Sequence, residues 1–265
     1  MDHIIYSYSL AGAFVGFLVG LTGVGGGSLM APVLILLFGF SPAVAVGTDL
    51  WFACLTKTAG GIVHHRLGSP DWKLVARLAA GSLPAAILTL WWLAKYHQGH
   101  LESDVLMDLL GIALLATAGL MVFRHQIIRP LRQVRVVLEH TMRRIRFSQV
   151  LITVLGGAAV GALVTLTSVG AGALVAVMLA LVYPLRLDAK KIVGTDIIHA
   201  IPLTFVAALG HSWLGNVDAW LLGSLLIGSI PGIVLGSLTA GKVNDSLVRY
   251  ALAAMLVVSA VKMIA

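Results

Sequence analysis

Three charged residues stand where charge is expensive. Asp49, Lys57 and Asp196 each lie well inside an otherwise apolar run. A helix starting at Pro42 carries Asp49 about 10 Å and Lys57 about 22 Å along its axis. At such depth in a bilayer a charge must be paired or wetted, so each is a candidate for chemistry. Asp49 and Asp196 close the same tetrapeptide, Val46-Gly-Thr-Asp49 and Val193-Gly-Thr-Asp196, behind Thr48 and Thr195. Two readings stand for these motifs: proton coupling or gating, or acceptance of backbone N–H groups from a neighbouring segment that the aspartate fastens. Lys57 is eight residues from Asp49, too far for a direct pair on one helix. An anionic substrate is one source of its counter-charge; the competing reading is a lysine snorkelling to the cytoplasmic end. His199 follows Asp196 by three residues on one helical face, which allows a proton relay between them. The histidines at 64, 65, 97, 100, 125 and 140 fall at helix ends or in loops.

The backbone offers a second kind of site. Gly20, Gly23, Gly25, Gly26 and Gly27 interrupt an apolar run that extends from about Ile4 to Phe38. Glycine at that density breaks a helix. Irregular backbone survives at membrane depth only where it is buried in protein or lines a cavity. A half-helix restarting near Ser28, with a counterpart near Ala173, aims free N–H groups and a positive dipole end into the bundle. The candidate substrate-binding residues are Thr22, Gly25, Gly26, Gly27 and Ser28 in the first break, Thr167, Ser168, Gly170 and Gly172 in the second, and Lys57. Thr48, Asp49, Thr195, Asp196 and His199 are the coupling or gating candidates. Small residues also pack helices closely, so glycine alone is weak evidence; its appearance twice at matched positions is stronger.

The elements that hold these residues follow from composition. Of 265 residues, 59% are hydrophobic and 11% charged, with a mean hydropathy of +0.98. A soluble domain carries about a quarter charged residues, so the chain is all-α and polytopic, with room for about seven or eight membrane segments. Cys54 is the one cysteine, which leaves no disulfide framework and no paired-cysteine metal site. The opening Met1-Asp-His lacks a basic stretch, and the first apolar run reads as retained. Net charge is +7, but Arg124, Arg129, Arg132, Arg135, Arg143, Arg144 and Arg146 against Glu139 confine +6 of it to one connector. A single basic loop between membrane helices is the positive-inside signature and implies a lipid bilayer, not nucleic acid, as partner.

The chain repeats itself. The Val-Gly-Thr-Asp motif, Leu67-Gly68 with Asp71, and Gly81-Ser-Leu-Pro84 all return 147 residues later, the last as Gly228-Ser-Ile-Pro231. Gly16-x-Leu-x-x-Leu-Thr22 returns 145 residues later. Four matches in one order indicate a tandem duplication. One transport domain, 1–265, then divides into repeat one (4–123), a basic linker (124–149) and repeat two (150–264). Each repeat holds a broken segment followed by spans near 42–65, 74–93 and 105–123, or 188–210, 219–240 and 246–264. With the linker cytoplasmic, re-entrant broken segments keep Arg66, Lys73, Arg77, Arg186, Lys190, Lys191, Lys242 and Arg249 on that side. The charge bias therefore favours re-entry and inverted repeats. Asp71 and Asp218, beside Trp72 and Trp220, read as interface anchors. Lys57 is unduplicated, since the residue 147 positions later is Thr204.

The Gly-x-Gly-Gly-Gly break, the Val-Gly-Thr-Asp motif, the twofold repeat and the basic central loop resemble the sulfite exporter TauE/SafE family, the toluene-sulfonate uptake permeases, over essentially the whole chain. The resemblance implies an eight-segment transporter of sulfur-containing anions (sulfite, sulfonates such as sulfoacetate, or thiosulfate) in the bacterial inner membrane. It carries Gly23, Gly25, Gly26, Gly27, Ser28, Gly47, Thr48, Asp49, Gly194, Thr195 and Asp196 by position. The second break departs, with Ser168 and Ala171 where the first has glycine. No nucleotide motif appears, so secondary transport by alternating access, with proton coupling open, is the expected mechanism. Alternatives are a transporter or channel for another small anion such as a carboxylate, a membrane-embedded enzyme, or an anchoring subunit. The last two lack a nucleophile–base pair, a metal-ligand set or paired axial histidines at depth. No catalytic residue, metal or cofactor is therefore expected, and a homo-oligomer stays open.

Overall fold

Long apolar runs need internally bonded backbone, and the chain supplies it as helices whose starts are set by aspartates. Asp71 accepts the N–H groups of Lys73 and Leu74 at 3.1 and 3.3 Å. Asp218 accepts those of Trp220 and Leu221, both at 2.9 Å, and Asp188 that of Lys191 at 2.7 Å. All three carboxylates are helix caps, and Trp72 and Trp220, beside Asp71 and Asp218, are exposed rings.

The computed structural model describes residues 2–22, 29–64, 70–133, 146–183, 186–239, 243 and 245–265. Among them are ten helices and no strand: α1 (Asp2–Thr22), α2 (Met30–Leu36), α3 (Pro42–His64), α4 (Trp72–Tyr96), α5 (Ser103–Gln133), α6 (Arg146–Thr167), α7 (Ala173–Val182), α8 (Ala189–Trp213), α9 (Ala219–Thr239) and α10 (Asp245–Ile264). Six of them, α4, α5, α6, α8, α9 and α10, contain stretches long and apolar enough to cross a membrane. Leu10, Ile227 and Leu238 point outward from the bundle, as lipid-facing side chains do.

The expected linker 124–149 is only partly a connector. Helix α5 runs on through residues 124–133, and α6 begins at Arg146. Arginine, glutamine and leucine are good helix formers, so the loss of hydrophobicity after Phe123 does not by itself end the helix. Residues 134–145 lie outside the described residues.

Backbone contact through glycine sets the packing. A Cβ on Gly12, Gly16 or Gly20 of α1 would run into the carbonyls of Leu225, Ser229 and Ile233 on α9. A Cβ on Gly157 or Gly161 of α6 would meet those of Leu78 and Ser82 on α4. Both pairs run parallel, since contact advances along both helices together. The close approach is the small-residue packing of membrane helices. Helices α3 and α8 instead cross antiparallel: Gly47 abuts Asn216, Trp51 Nε1–H donates to Ser212 Oγ at 2.8 Å, and Cys54 Sγ lies 3.9 Å from the Ile201 carbonyl. Helix α4 runs parallel to α8, with Ser82 against His199 and Leu90 against Gly210. The short helix α2 packs on α3, and α7 on α5 and α6.

Candidate functional site

Helices α3 and α8 carry the buried charges to their crossing. Asp49 and His199 are fully buried, and Lys57 and Asp196 nearly so, around the Cys54–Ile201 contact. The Lys57 ammonium interacts electrostatically with Asp196 first and Asp49 second, and His199 also feels it. Lys57 makes no ion pair within 4 Å to a described carboxylate; the salt bridge among the described residues is Arg186–Asp71. Lys57 thus has a counter-charge besides Asp49 in Asp196, which the crossing of α3 and α8 brings into its field.

The second break is built for contact with this centre. Helix α6 ends at Thr167, and Ser168 follows in the left-handed region with φ 57°. A side chain there is strained, and glycine is the residue that avoids the strain. Gly170, at φ 108°, completes the turn, and Gly172 leads into α7. Thr167 fastens the break: its hydroxyl donates to the Leu163 carbonyl at 2.7 Å and accepts the Val169 N–H at 3.1 Å. That hydroxyl proton is committed to the backbone. The Ser168 hydroxyl and the Ala31 N–H at the start of α2 both turn to the buried Asp49 carboxylate, in contacts outside strict hydrogen-bond geometry, so Asp49 draws the second break and the start of α2 together.

Thr48 and Thr195 bond in a matched way. Thr195 Oγ1 accepts the Asp71 N–H at 3.0 Å, and Thr48 Oγ1 accepts the Asp218 N–H at 3.2 Å. Each thus ties the helix bearing one buried aspartate to the start of a helix 124 or 170 residues away. His199 does not bond Asp196. Its Nε2 lies 2.8 Å from Ser82 Oγ, and its Nδ1 has no partner. Thr22 ends α1, while Gly23, Gly25, Gly26, Gly27 and Ser28 lie outside the described residues.

Five of the seven buried side-chain atoms without a hydrogen-bond partner among the described residues belong to this cluster: both Asp49 oxygens, Ser168 Oγ, Asp196 Oδ1 and His199 Nδ1. Asp49 and Ser168 turn to each other, which leaves Asp196 Oδ1 and His199 Nδ1 as the atoms of this cluster that no described side chain approaches. Sequence reasoning missed Ser82, although it lies in the recurring Gly-Ser-x-Pro stretch. It also missed His211, whose Nε2 is 2.8 Å from the Thr165 carbonyl and whose Nδ1 is 3.2 Å from the Asn216 amide. That amide also donates to the Gly99 carbonyl at 2.8 Å, so His211 is a structural tie between α6, α8 and the turn after α4.

The family model for sulfite exporter TauE/SafE matches residues 8–263. The chain belongs to the sulfite exporter TauE/SafE family. YjnA of Bacillus subtilis, described as a probable membrane transporter protein, is 38% identical over 259 residues, covering 97% of this chain and 99% of its own. A second Bacillus subtilis protein so described, YdhB, is 28% identical over 218 residues, 81% of each chain. A probable membrane transporter protein of Methanocaldococcus jannaschii is 26% identical over 223 residues, 80% of this chain and 73% of its own. No solved structure matches. TauE/SafE membership makes the chain a membrane transporter, in keeping with its six apolar spans.

Proposed function

We propose that this TauE/SafE protein is a secondary transporter of small sulfur-containing anions, namely sulfite, sulfonates such as sulfoacetate, or thiosulfate. The anion sits beside Lys57, between the two breaks, and alternating access exposes it to each side of the bacterial inner membrane in turn. The observation that carries this reading is one buried ammonium, Lys57, with the buried Asp196, Asp49 and His199 around it. A buried ammonium beside a buried imidazole suits an oxyanion.

Charge balance argues for proton coupling. Were both carboxylates ionised, they and one ammonium would leave the cluster one charge negative, and a monoanion would double that. Uncompensated charge in a dry site is costly. In this reading Asp49 or Asp196 carries a proton while the anion is bound.

The eight-segment, inverted-repeat architecture is part of the same proposal. Several contacts recur at the offsets of the sequence repeat: Thr195 with Asp71 and Thr48 with Asp218, Gly161 with Ser82 and Gly16 with Ser229. Helices α3 and α8, equivalent in the repeat, run antiparallel, as an axis in the membrane plane requires. Helices α6 and α8 both run parallel to α4, so the chain between them must turn back, which supports a re-entrant second break. In this arrangement the linker and the loops bearing Arg186, Lys190 and Lys191 are cytoplasmic.

The test is uptake of radiolabelled sulfite into liposomes with an internal pH dye. The proposal expects saturable uptake with movement of protons alongside the anion. Uptake that leaves the internal pH and the imposed pH gradient without influence would remove the coupling. Absence of flux for every sulfur oxyanion would remove the substrate class.

A further inference from the structure

Ser82 in α4 and His199 in α8 are both fully buried, and Ser82 Oγ lies 2.8 Å from His199 Nε2. A buried hydroxyl proton needs an acceptor. Thr56 and Thr204, on the same crossing helices, give theirs to the carbonyl one turn earlier, each at 2.8 Å. Ser82 makes no such bond; its partner is the imidazole. The hydroxyl therefore donates, Nε2 accepts, and the ring proton is on Nδ1. Nδ1 is the buried atom without a protein partner, on the helix of Asp196 and in the field of Lys57.

The residue 147 positions before His199 is Phe52, and the one 147 positions after Ser82 is Ser229. Ser229 has no imidazole to serve, and its hydroxyl turns to the Leu226 carbonyl at 3.5 Å. Lys57 and His199 are thus both polar residues without a counterpart at the repeat offset. One comes from each half of the chain, and both face the same cluster. A device that merely held the bundle together would be expected in both halves.

We infer that Ser82 is a positioning residue that holds His199 with its proton on Nδ1, and that this N–H is a directional donor to the oxyanion bound beside Lys57. The inference rests on the anion-transport reading above. An ammonium attracts any anion as a compact point charge. An imidazole N–H at a fixed angle adds a preference for an anion with an oxygen lone pair in line.

The experiment uses the full chain in nanodiscs, with sulfite as probe. Nitrogen NMR of 15N-histidine protein, assigned by loss of signal in His199→Asn, reads the tautomer before any ligand is added. The expected result is a protonated Nδ1 and a bare Nε2, converted to a mixture by Ser82→Ala. A protonated Nε2 in the parent protein overturns the inference. Calorimetry then gives the sulfite Kd. Loss of a hydrogen bond to a charged partner predicts about 10- to 100-fold weaker binding in His199→Phe. His199→Asn, whose amide reaches the Nδ1 position, should stay within about threefold of the parent. Unchanged binding in His199→Phe overturns the donor role. A parent protein that binds no sulfite overturns the anion reading and this role with it, a result read without any variant.

Discussion

The Asp71 backbone N–H donates to Thr195 Oγ1 at 3.0 Å, and the Asp218 N–H donates to Thr48 Oγ1 at 3.2 Å. Both threonines precede the buried aspartate of a Val-Gly-Thr-Asp motif, so each motif joins a central carboxylate to the capped start of a distant helix. Gly47 belongs to the same device, since a Cβ there would strike the Asn216 carbonyl. Thr195→Ala and Thr48→Ala should each cost about 1 kcal/mol in unfolding experiments, and Ser at either position should recover most of it. The two losses should add to within about 0.5 kcal/mol because the sites share no partner. A Thr195→Ala protein as stable as its parent would contradict this role.

Asp71 does two jobs, and they are separable. It caps α4 and pairs with Arg186, which is 44% exposed. Asparagine can cap but cannot pair with arginine. Asp71→Asn should therefore cost under about 1 kcal/mol, and Asp71→Ala about 1–2 kcal/mol. A double-mutant cycle with Arg186→Gln checks the split: coupling well above 1 kcal/mol would mean that the ion pair dominates.

Glycine substitutions should divide by what a methyl group would meet. Gly161→Ala and Gly228→Ala press a Cβ against the backbone of Ser82 and Ser9, which cannot step aside. Gly119 and Gly223 have nothing within 4 Å of a Cβ. The first two should lose about 2 kcal/mol or more, or fail to assemble, while alanine at the other two should be neutral or gain up to about 1 kcal/mol of helix propensity. Thermal unfolding and gel filtration read the difference, and equal behaviour of the two classes would refute backbone contact as the packing determinant.

Much of this was legible in the sequence, for a reason seen in particular residues. The internal repeat exposed the Val-Gly-Thr-Asp pair, because a motif that recurs at one offset is visible without a structure. That Asp49, Lys57 and Asp196 stand inside apolar runs was equally visible, and all three are buried. What stayed hidden depends on which helices touch. Asp196 is 139 positions from Lys57 in the chain, and nothing local announces that α3 and α8 cross there. Ser82 was quoted within a repeat but gained meaning only beside His199. His211, in the last turn of α8, drew no notice in the sequence and gains a role only from Thr165 and Asn216, which close around it. The continuation of α5 beyond Phe123 was masked by a drop in hydrophobicity, although arginine does not stop a helix.

Stability and transport should come apart at the central pair. Asp196→Asn removes the stronger of the two negative partners of a buried ammonium. That leaves a buried ammonium with less compensating charge, so Asp196→Asn should be less stable than its parent. Lys57→Met in the same protein removes the stranded charge and should restore most of the stability. Transport should remain lost in the double variant. Restored flux along with restored stability would make Lys57 and Asp196 a structural pair only.

The most direct test of Lys57 as the anchor of the anion site is the initial rate of radiolabelled sulfite uptake by proteoliposomes containing the parent protein, Lys57→Met or Lys57→Arg. The account predicts that Lys57→Met, folded and inserted to the same level, loses about tenfold or more of the sulfite flux. Lys57→Arg, which keeps the charge, should retain part of it. Parent-level sulfite flux through folded Lys57→Met would contradict the central claim.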